Sequence, residues 1–256
     1  LYQTNWHFEL IMSNTPLISV VIPVYNEEKY IARCLQSVCN QNFKNYEVIV
    51  VDNNCTDKTA KIAAGFKVKI IREKIQGMTP ARERGFQEAK SAIIARTDAD
   101  TIIPSNWLSS IYRYFTQYPQ MIALTGGFSF PEVSRAEEKL LSVFINGYSR
   151  HMKLVMGHYQ LNGPNYALRK SAWEKVEIHT DDKIVHEDMD LACHLYELGD
   201  IKYFPNLKVG YSLRRWKKKF WYTMFEYGVR NIRTVLIHHP KFIKHRKFLT
   251  FVKKSG

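Results

Sequence analysis

Between Ile18 and Asp100 the chain alternates β-branched apolar runs with helical stretches four times over, joined by short connections. Ile18–Tyr25 reads as a central strand. Tyr46–Val51 reads as a second, ending at Asp52, and Lys67–Arg72 as a third. Ser91–Ala95 is a fourth apolar run and leads into Asp98. Between them, Ile31, Leu35 and Val38 recur at helical spacing, with Asn26 as the expected cap and Glu27 and Glu28 in the first turn. A helix is expected over 57–64. Another is expected after Gly77, capped by Thr79 with Pro80 in its first turn. This rhythm predicts an α/β fold with a Rossmann-like, mostly parallel central sheet flanked by helices. In such sheets ligands bind at the carboxyl edge of the strands. No G-x-G-x-x-G follows the first strand, which disfavours a dinucleotide oxidoreductase.

After Asp100 the rhythm changes. Residues 106–118 read as a helix closed by Pro119, and 121–130 as a strand in which Gly126-Gly127 permits close backbone approach. A longer helical region spans 131–156, and 160–169 reads as a turn into a strand. Leu191, Leu195 and Leu198 suit one helix face, with Gly199 as its stop. Glu187 and Asp188 then sit at a helix N-terminus, where carboxylates complement the dipole.

Charge is concentrated in one segment. From Asn206 onward lie 14 of the 37 Lys and Arg and only one of the 24 Asp and Glu, Glu226. The first 205 residues hold 23 of each sign, so the whole excess of +13 belongs to the C-terminal stretch. Within 216–254, aromatics such as Trp216, Phe220, Trp221, Phe225 and Phe248 interleave with the cations. That pattern suits an interfacial segment on an anionic membrane leaflet, or aromatics packed on a core beneath surface charge. No run approaches the ~20 apolar residues of a bilayer span. Cys34, Cys39, Cys55 and Cys193 form no C-x-x-C pair, so they point to reduced thiols rather than a disulfide framework or cysteine zinc site. Residues 1–17 are expected to be an N-terminal extension, in part foreign to the native chain, because Met12-Ser13-Asn14 looks like a native start.

The chemistry centres on Thr97-Asp98-Ala99-Asp100. Two carboxylates at a strand end repel each other unless a proton or a cation intervenes. Hard oxygen ligands suit Mg²⁺ or Mn²⁺ completed by substrate phosphates. A lone D-x-D would read as an Asp-rich turn, so its company decides. That company is Val21-Ile22-Pro23-Val24-Tyr25-Asn26-Glu27, then Val50-Val51-Asp52-Asn53-Asn54-Cys55-Thr56-Asp57, and last His186-Glu187-Asp188-Met189-Asp190-Leu191.

In this order the motifs resemble the family 2 glycosyltransferases, a class with the GT-A fold. Ala81-Arg82-Glu83-Arg84-Gly85 resembles the family's Ala-Arg-Asn-x-Gly element with Glu83 in place of Asn. The resemblance spans 18–211 and implies a catalytic domain over 18–212, with a nucleotide-binding half (18–100) and an acceptor half (101–212), followed by the basic helical segment 213–256. It implies that Pro23, Tyr25 and Glu27 line the base and ribose pocket. Asp52 would accept from a base N–H, and Arg82 or Arg84 would help hold the donor. Asp98 and Asp100 would hold the divalent cation, Mn²⁺ or Mg²⁺, against a UDP- or GDP-linked sugar. Asp188 is the candidate general base of an inverting transfer, with Glu187 as the alternative. Gly163 and Asn165 would meet the donor sugar and acceptor.

Gly210-Tyr211-Ser212-Leu213-Arg214-Arg215-Trp216 departs from family members that place a metal-binding histidine there. It faintly resembles the Q-x-x-R-W element of processive synthases, with Ser212 in the Gln position, so Arg215 and Trp216 are candidates to approach the diphosphate or acceptor. The expected acceptor is a lipid, lipid-linked glycan or glycan. The expected location is cytoplasmic, peripheral at the inner face of the cell membrane. A catalytically silent GT-A-like binding domain is the alternative. A basic nucleic-acid-binding protein ranks lower, and nucleic acid is not expected as a partner, because unmetallated core carboxylates repel phosphate.

Overall fold

The computed structural model describes residues 15–179 and 185–239. The expected extension up to residue 14 and the end of the basic segment from 240 lie outside them. Seven strands form one sheet: β1 (Ile18–Val24), β2 (Tyr46–Asp52), β3 (Lys69–Arg72), β4 (Ile93–Arg96), β5 (Met121–Ser129), β6 (Tyr166–Arg169) and β7 (Asp200–Gly210). Their spatial order is β3-β2-β1-β4-β6-β5-β7. β6 runs antiparallel to both neighbours, β4 and β5, and every other pairing is parallel. The sheet is therefore mostly parallel, as the alternation predicts.

Strand β1 is buried along its whole length, as a central parallel strand should be. Its side chains alternate between two cores. Ile18, Val20, Ile22 and Val24 join Ile31, Leu35 and Val38 of α1 (Ile31–Cys39) and Trp107, Leu108, Ile111 and Phe115 of α4 (Trp107–Gln117). Val21, on the other face, joins Ala81 and Phe86 of α3 (Met78–Glu88) and Leu191, Ala192 and Leu195 of α7 (Glu187–Tyr196). Gly85 makes the α3 contact possible, because a Cβ there would lie 2.3 Å from Val21 Cγ1. Short helices α2 (Thr59–Ala63) and α6 (Lys170–Trp173), the long α5 (Arg135–Met156) and α8 (Arg214–Arg233) complete the fold. A π-helical turn over Thr234–His238 follows α8. Ser134 and Glu137 cap α5 reciprocally.

Two expected caps differ. Helix α1 begins at Ile31, and Asn26 precedes it in a left-handed conformation (φ 54°). The Asn26 side chain is spent across the strand ends, where its Oδ1 accepts from the Thr56 amide at 2.8 Å. Helix α3 starts at Met78 behind Gly77, not after a Thr79 cap. Here the buried Asn53 fixes the start: its Oδ1 accepts from the Gly77 amide at 2.8 Å, and its Nδ2 donates to Glu73 O and Ile75 O.

The candidate active site

The carboxyl ends of β1, β2 and β4 open on one cleft. Arg96, the last residue of β4, is 2% exposed and organises its floor. Its Nη2 donates to Asp98 Oδ1 at 3.0 Å, and its Nη1 donates to Asp188 Oδ1 at 2.5 Å. Tyr166 lies against it, with the ring centroid 5.7 Å from the guanidinium carbon. A second buried arginine, Arg82 of α3, approaches the same Asp188 oxygen at 3.6 Å and donates to Glu187 O at 3.0 Å. Its Nε pairs with Glu83 at 2.9 Å, while Arg82 Nη2 is buried without a hydrogen-bond partner among the described residues.

The helix decides between the two expected arginines. Residues two apart on a helix face nearly opposite ways. Arg82 points inward with Ala81, Gly85 and Phe86. Arg84 lies on the outer face, 42% exposed, and pairs with Glu88 one turn on. Of the two arginines expected to hold the donor, Arg82 thus faces the carboxylate floor and Arg84 the outer side of α3.

Burial pushes the Asp98 carboxyl up to about 6. Arg96 pulls it down, while the charges of Asp100, Asp188 and Glu187 add to the rise. Such a carboxylate, crowded by others at a strand end, matches the donor set of a hard divalent cation. Asp98 and Asp100 therefore fit the expected cation. Asp100 Oδ2 lies 2.9 Å from Arg214 Nε, and the same guanidinium reaches Glu27 Oε1 and stacks over Tyr30 at 4.2 Å. The other Glu27 oxygen is buried without a partner among the described residues. Reciprocal hydrogen bonds between Ile102 and Gly210 draw the loop after Asp100 to the end of β7, which brings Arg214 to this place.

Asp52 ends β2, and one of its oxygens accepts from the Cys55 amide at 2.8 Å. Pro23 sits near the end of β1 opposite Val51, and Tyr25 just beyond it is exposed. Gly163 abuts the carboxylate floor, since a Cβ there would lie 2.6 Å from Asp188 Oδ2 and 3.1 Å from Arg96 Nη1.

Asn165, expected to meet the donor sugar and acceptor, is fully buried. Its Oδ1 accepts from Trp107 Nε1, and its Nδ2 donates to Gly127 O and Leu207 O, so it ties α4 to β5 and β7. Glu187 is engaged differently from Asp188. Burial would raise its carboxyl, but His186, Arg96, Arg230 and Arg82 together hold it down to about 2, and Arg230 Nη2 sits 2.9 Å away. The side chains of Arg215 and Trp216 lie outside the described residues. Arg96 and Arg214, which pair with Asp98, Asp188 and Asp100, have no motif signal of their own: Arg96 immediately precedes Thr97-Asp98-Ala99-Asp100, and Arg214 lies within the Gly210–Trp216 stretch.

A sequence model of the family described as "Glycosyl transferase family 2" matches residues 19–176. Among curated proteins, "Glycosyltransferase GlyA" of Streptococcus pneumoniae serotype 4 is 30% identical over 120 residues, covering 45% of this chain and 17% of its own length. "Probable glycosyltransferase YdaM" of Bacillus subtilis (strain 168) is 29% identical over 218 residues, covering 76% of this chain and 50% of its own length. This chain thus spans half or less of each of these two relatives. Among solved structures, the mannosyltransferase PcManGT of Pyrobaculum calidifontis, in complex with GDP-Man and Mn²⁺, aligns with a TM-score of 0.68 at 20% identity. That alignment covers 91% of this chain and 66% of PcManGT. S. aureus TarS (residues 1–349) with UDP-GlcNAc aligns at 0.56 and 18% identity, over 74% of this chain and 56% of the other. These likenesses establish the GT-A fold. With the family match covering most of the catalytic sheet, the chain belongs to glycosyl transferase family 2.

Proposed function

We propose that the chain transfers a sugar, with inversion, from a UDP- or GDP-linked donor to a hydroxyl of a lipid, lipid-linked or glycan acceptor. The observation that carries this reading is Arg96, a single buried guanidinium touching both Asp98 and Asp188. It sets a metal-type carboxylate and a base candidate side by side at a strand end. The GDP-Man and Mn²⁺ complex of PcManGT and the UDP-GlcNAc complex of TarS support a nucleotide-sugar donor. A divalent cation, Mn²⁺ or Mg²⁺, held by Asp98 and Asp100 offsets charge on the departing diphosphate when bound.

The chain's own residues divide the remaining work. Pro23, Tyr25 and Glu27 line the base and ribose pocket, and Asp52 accepts from a base N–H through its second oxygen. Arg82 offers its unpartnered Nη2 to the donor, as arginine does wherever phosphate must be held. Asp188 is the general base: as the acceptor oxygen attacks and the bond to the diphosphate breaks, the hydroxyl proton passes to Oδ2. Oδ1 is engaged by the arginines, and the missing side chain of Gly163 leaves Oδ2 its space. Glu187, committed to Arg230, anchors the start of α7 instead. The division into a nucleotide half (18–100), an acceptor half (101–212) and a basic segment (213–256) belongs to the same reading.

The acceptor side points to a membrane surface. No helix among the described residues is long and apolar enough to cross a bilayer. Yet Tyr222, Phe225, Val229, Ile232 and Leu236 recur every three to four residues along α8 and the following turn, all 41–72% exposed. Leu140, Val143, Phe144 and Leu154 of α5 are exposed as well, and α5 meets α8 through the bond from Asn231 to Tyr148. Beside a +13 segment, such a stripe suits an anionic leaflet.

Thermal unfolding across a nucleotide-diphosphate panel, with and without Mn²⁺ or Mg²⁺, tests the donor site, since a ligand of the folded state raises the midpoint. A metal-dependent shift with UDP or GDP that vanishes in Asp98→Ala is expected. Asp188→Asn should keep that shift and lose transfer by a factor of about 10²–10⁴. Binding without transfer or donor hydrolysis in the wild type marks a silent domain, and no shift with any nucleotide overturns the reading.

A further inference from the structure

Away from the cleft, four side chains from three segments converge on one point. His179 follows α6, Asp190 and His194 lie one turn apart on α7, and His239 follows the π-helical turn. Their ligand-competent atoms all lie within 4.8 Å of one another. Asp190 Oδ1 is 2.7 Å from His179 Nδ1, 2.7 Å from His239 Nε2 and 3.6 Å from His194 Nε2. His194 Nε2 in turn stands 3.5 Å from His179 Nδ1. The side chains of Asp190 and His239 are 1% and 2% exposed.

Hydrogen bonding accounts for part of this arrangement: the two lone pairs of Asp190 Oδ1 take His179 Nδ1 and His239 Nε2, while His194 Nε2 at 3.6 Å faces the same oxygen from beyond hydrogen-bond distance. Two of those nitrogens also face each other, so protons on both would collide. A cation at the centre reverses the polarity, and four lone pairs then point at one charge. A tetrahedral zinc ion with bonds of about 2.0–2.2 Å sets its ligand atoms roughly 3.4 Å apart, inside the spread seen here. Three imidazoles with one carboxylate suit zinc better than magnesium, which prefers oxygen and keeps water.

We propose that His179, Asp190, His194 and His239 form a structural zinc-class site, separate from Asp98 and Asp100. Four protein ligands close the shell, the mark of a structural rather than a catalytic ion. The ion staples the His179 stretch and the end of the C-terminal helical segment to α7, two residues beyond Asp188. Neighbouring bonds tie the same joint: His186 N donates to Thr234 Oγ1, and Arg230 donates to Val185 O. The ion thereby fixes the helix that presents the acidic pair.

The test uses the full 256-residue chain, purified without a polyhistidine tag or chelator. Elemental analysis should find about one zinc per chain, and Co²⁺ exchanged into the wild type should give the intense visible bands of tetrahedral cobalt. A strong chelator should lower the melting temperature, and Zn²⁺ but not Mg²⁺ should restore it. His194→Ala and His239→Ala should each lower zinc affinity at least about tenfold, while Asp98→Ala leaves it unchanged. Two outcomes overturn the site: no zinc uptake with no Zn²⁺-dependent melting shift in the wild type, or zinc lost in Asp98→Ala and kept in His194→Ala. The cobalt measurement needs no variant, so misfolding of a histidine mutant does not shelter the proposal.

Discussion

Arg96 and Asp188 form a buried ion pair across 92 residues of sequence, joining the last residue of β4 to the first turn of α7. The pair is the joint between the first four strands of the chain and the acidic helix that follows β6. Removing one partner of a buried pair strands the other charge out of water. Arg96→Met should therefore lower the unfolding free energy by about 3–5 kcal/mol, read from urea titration. Arg96→Lys should fall in between, because an ammonium cannot reach Asp98 and Asp188 with a planar fork. A wild-type urea midpoint in Arg96→Met would contradict the joint.

Much of this was legible in the sequence, and the limits have physical causes. Continuous β-branched apolar runs and short connections placed β1, β2 and β4, hence Asp52 and Asp98 at strand ends. The roles of Arg82 and Arg84 turn on which face of α3 packs on the sheet. Ala81, Gly85 and Phe86 mark that face, and only the fold shows Gly85 against Val21. Asn165 looks like a loop residue by type, but the close approach of β5 and β7 buries it. The four-residue spacing of Asp190 and His194 is visible on one helix. His179 and His239 join it only through the chain's long-range path, which no local pattern encodes.

Glu187 carries a pH signature. Its carboxyl stands near 2 in the folded chain against an ordinary 4.5, because cationic neighbours outweigh burial. A depressed folded value means that the unfolded state binds more protons between the two values, so stability falls as pH drops. The contribution is complete above pH 4.5 and is lost toward pH 2. Wild type should exceed Glu187→Gln in stability at neutral pH, with the gap closing across that acid window. A gap independent of pH would show that the cations around Glu187 do not hold its charge.

Arg214 bridges Glu27 and Asp100 from the start of α8 and is 32% exposed. At that exposure its ion pairs contribute less than about 1 kcal/mol to stability. The residues that it holds, Glu27 and Asp100, belong to the proposed donor site, where a charged hydrogen bond to a bound donor is worth about 1.5–3 kcal/mol. Arg214→Ala should thus leave the melting temperature nearly unchanged while raising the donor KM by roughly ten- to a hundredfold. Steady-state kinetics beside calorimetry separate the two, and a large melting loss with an unchanged KM would assign Arg214 to scaffolding.

Gly163 gives the sharpest probe of the proposed base. A methyl group there would press on Asp188 Oδ2, at 2.6 Å, and on the Arg96 guanidinium. Both are held by buried partners, so neither yields freely. Overpacking of this kind costs about 1–3 kcal/mol of stability, which leaves Gly163→Ala folded but with Asp188 displaced. Displacing a proton acceptor harms the chemical step more than binding, so kcat should fall about a hundredfold with the nucleotide-dependent melting shift retained. If Gly163→Ala turns over normally, Oδ2 is not where the acceptor proton goes.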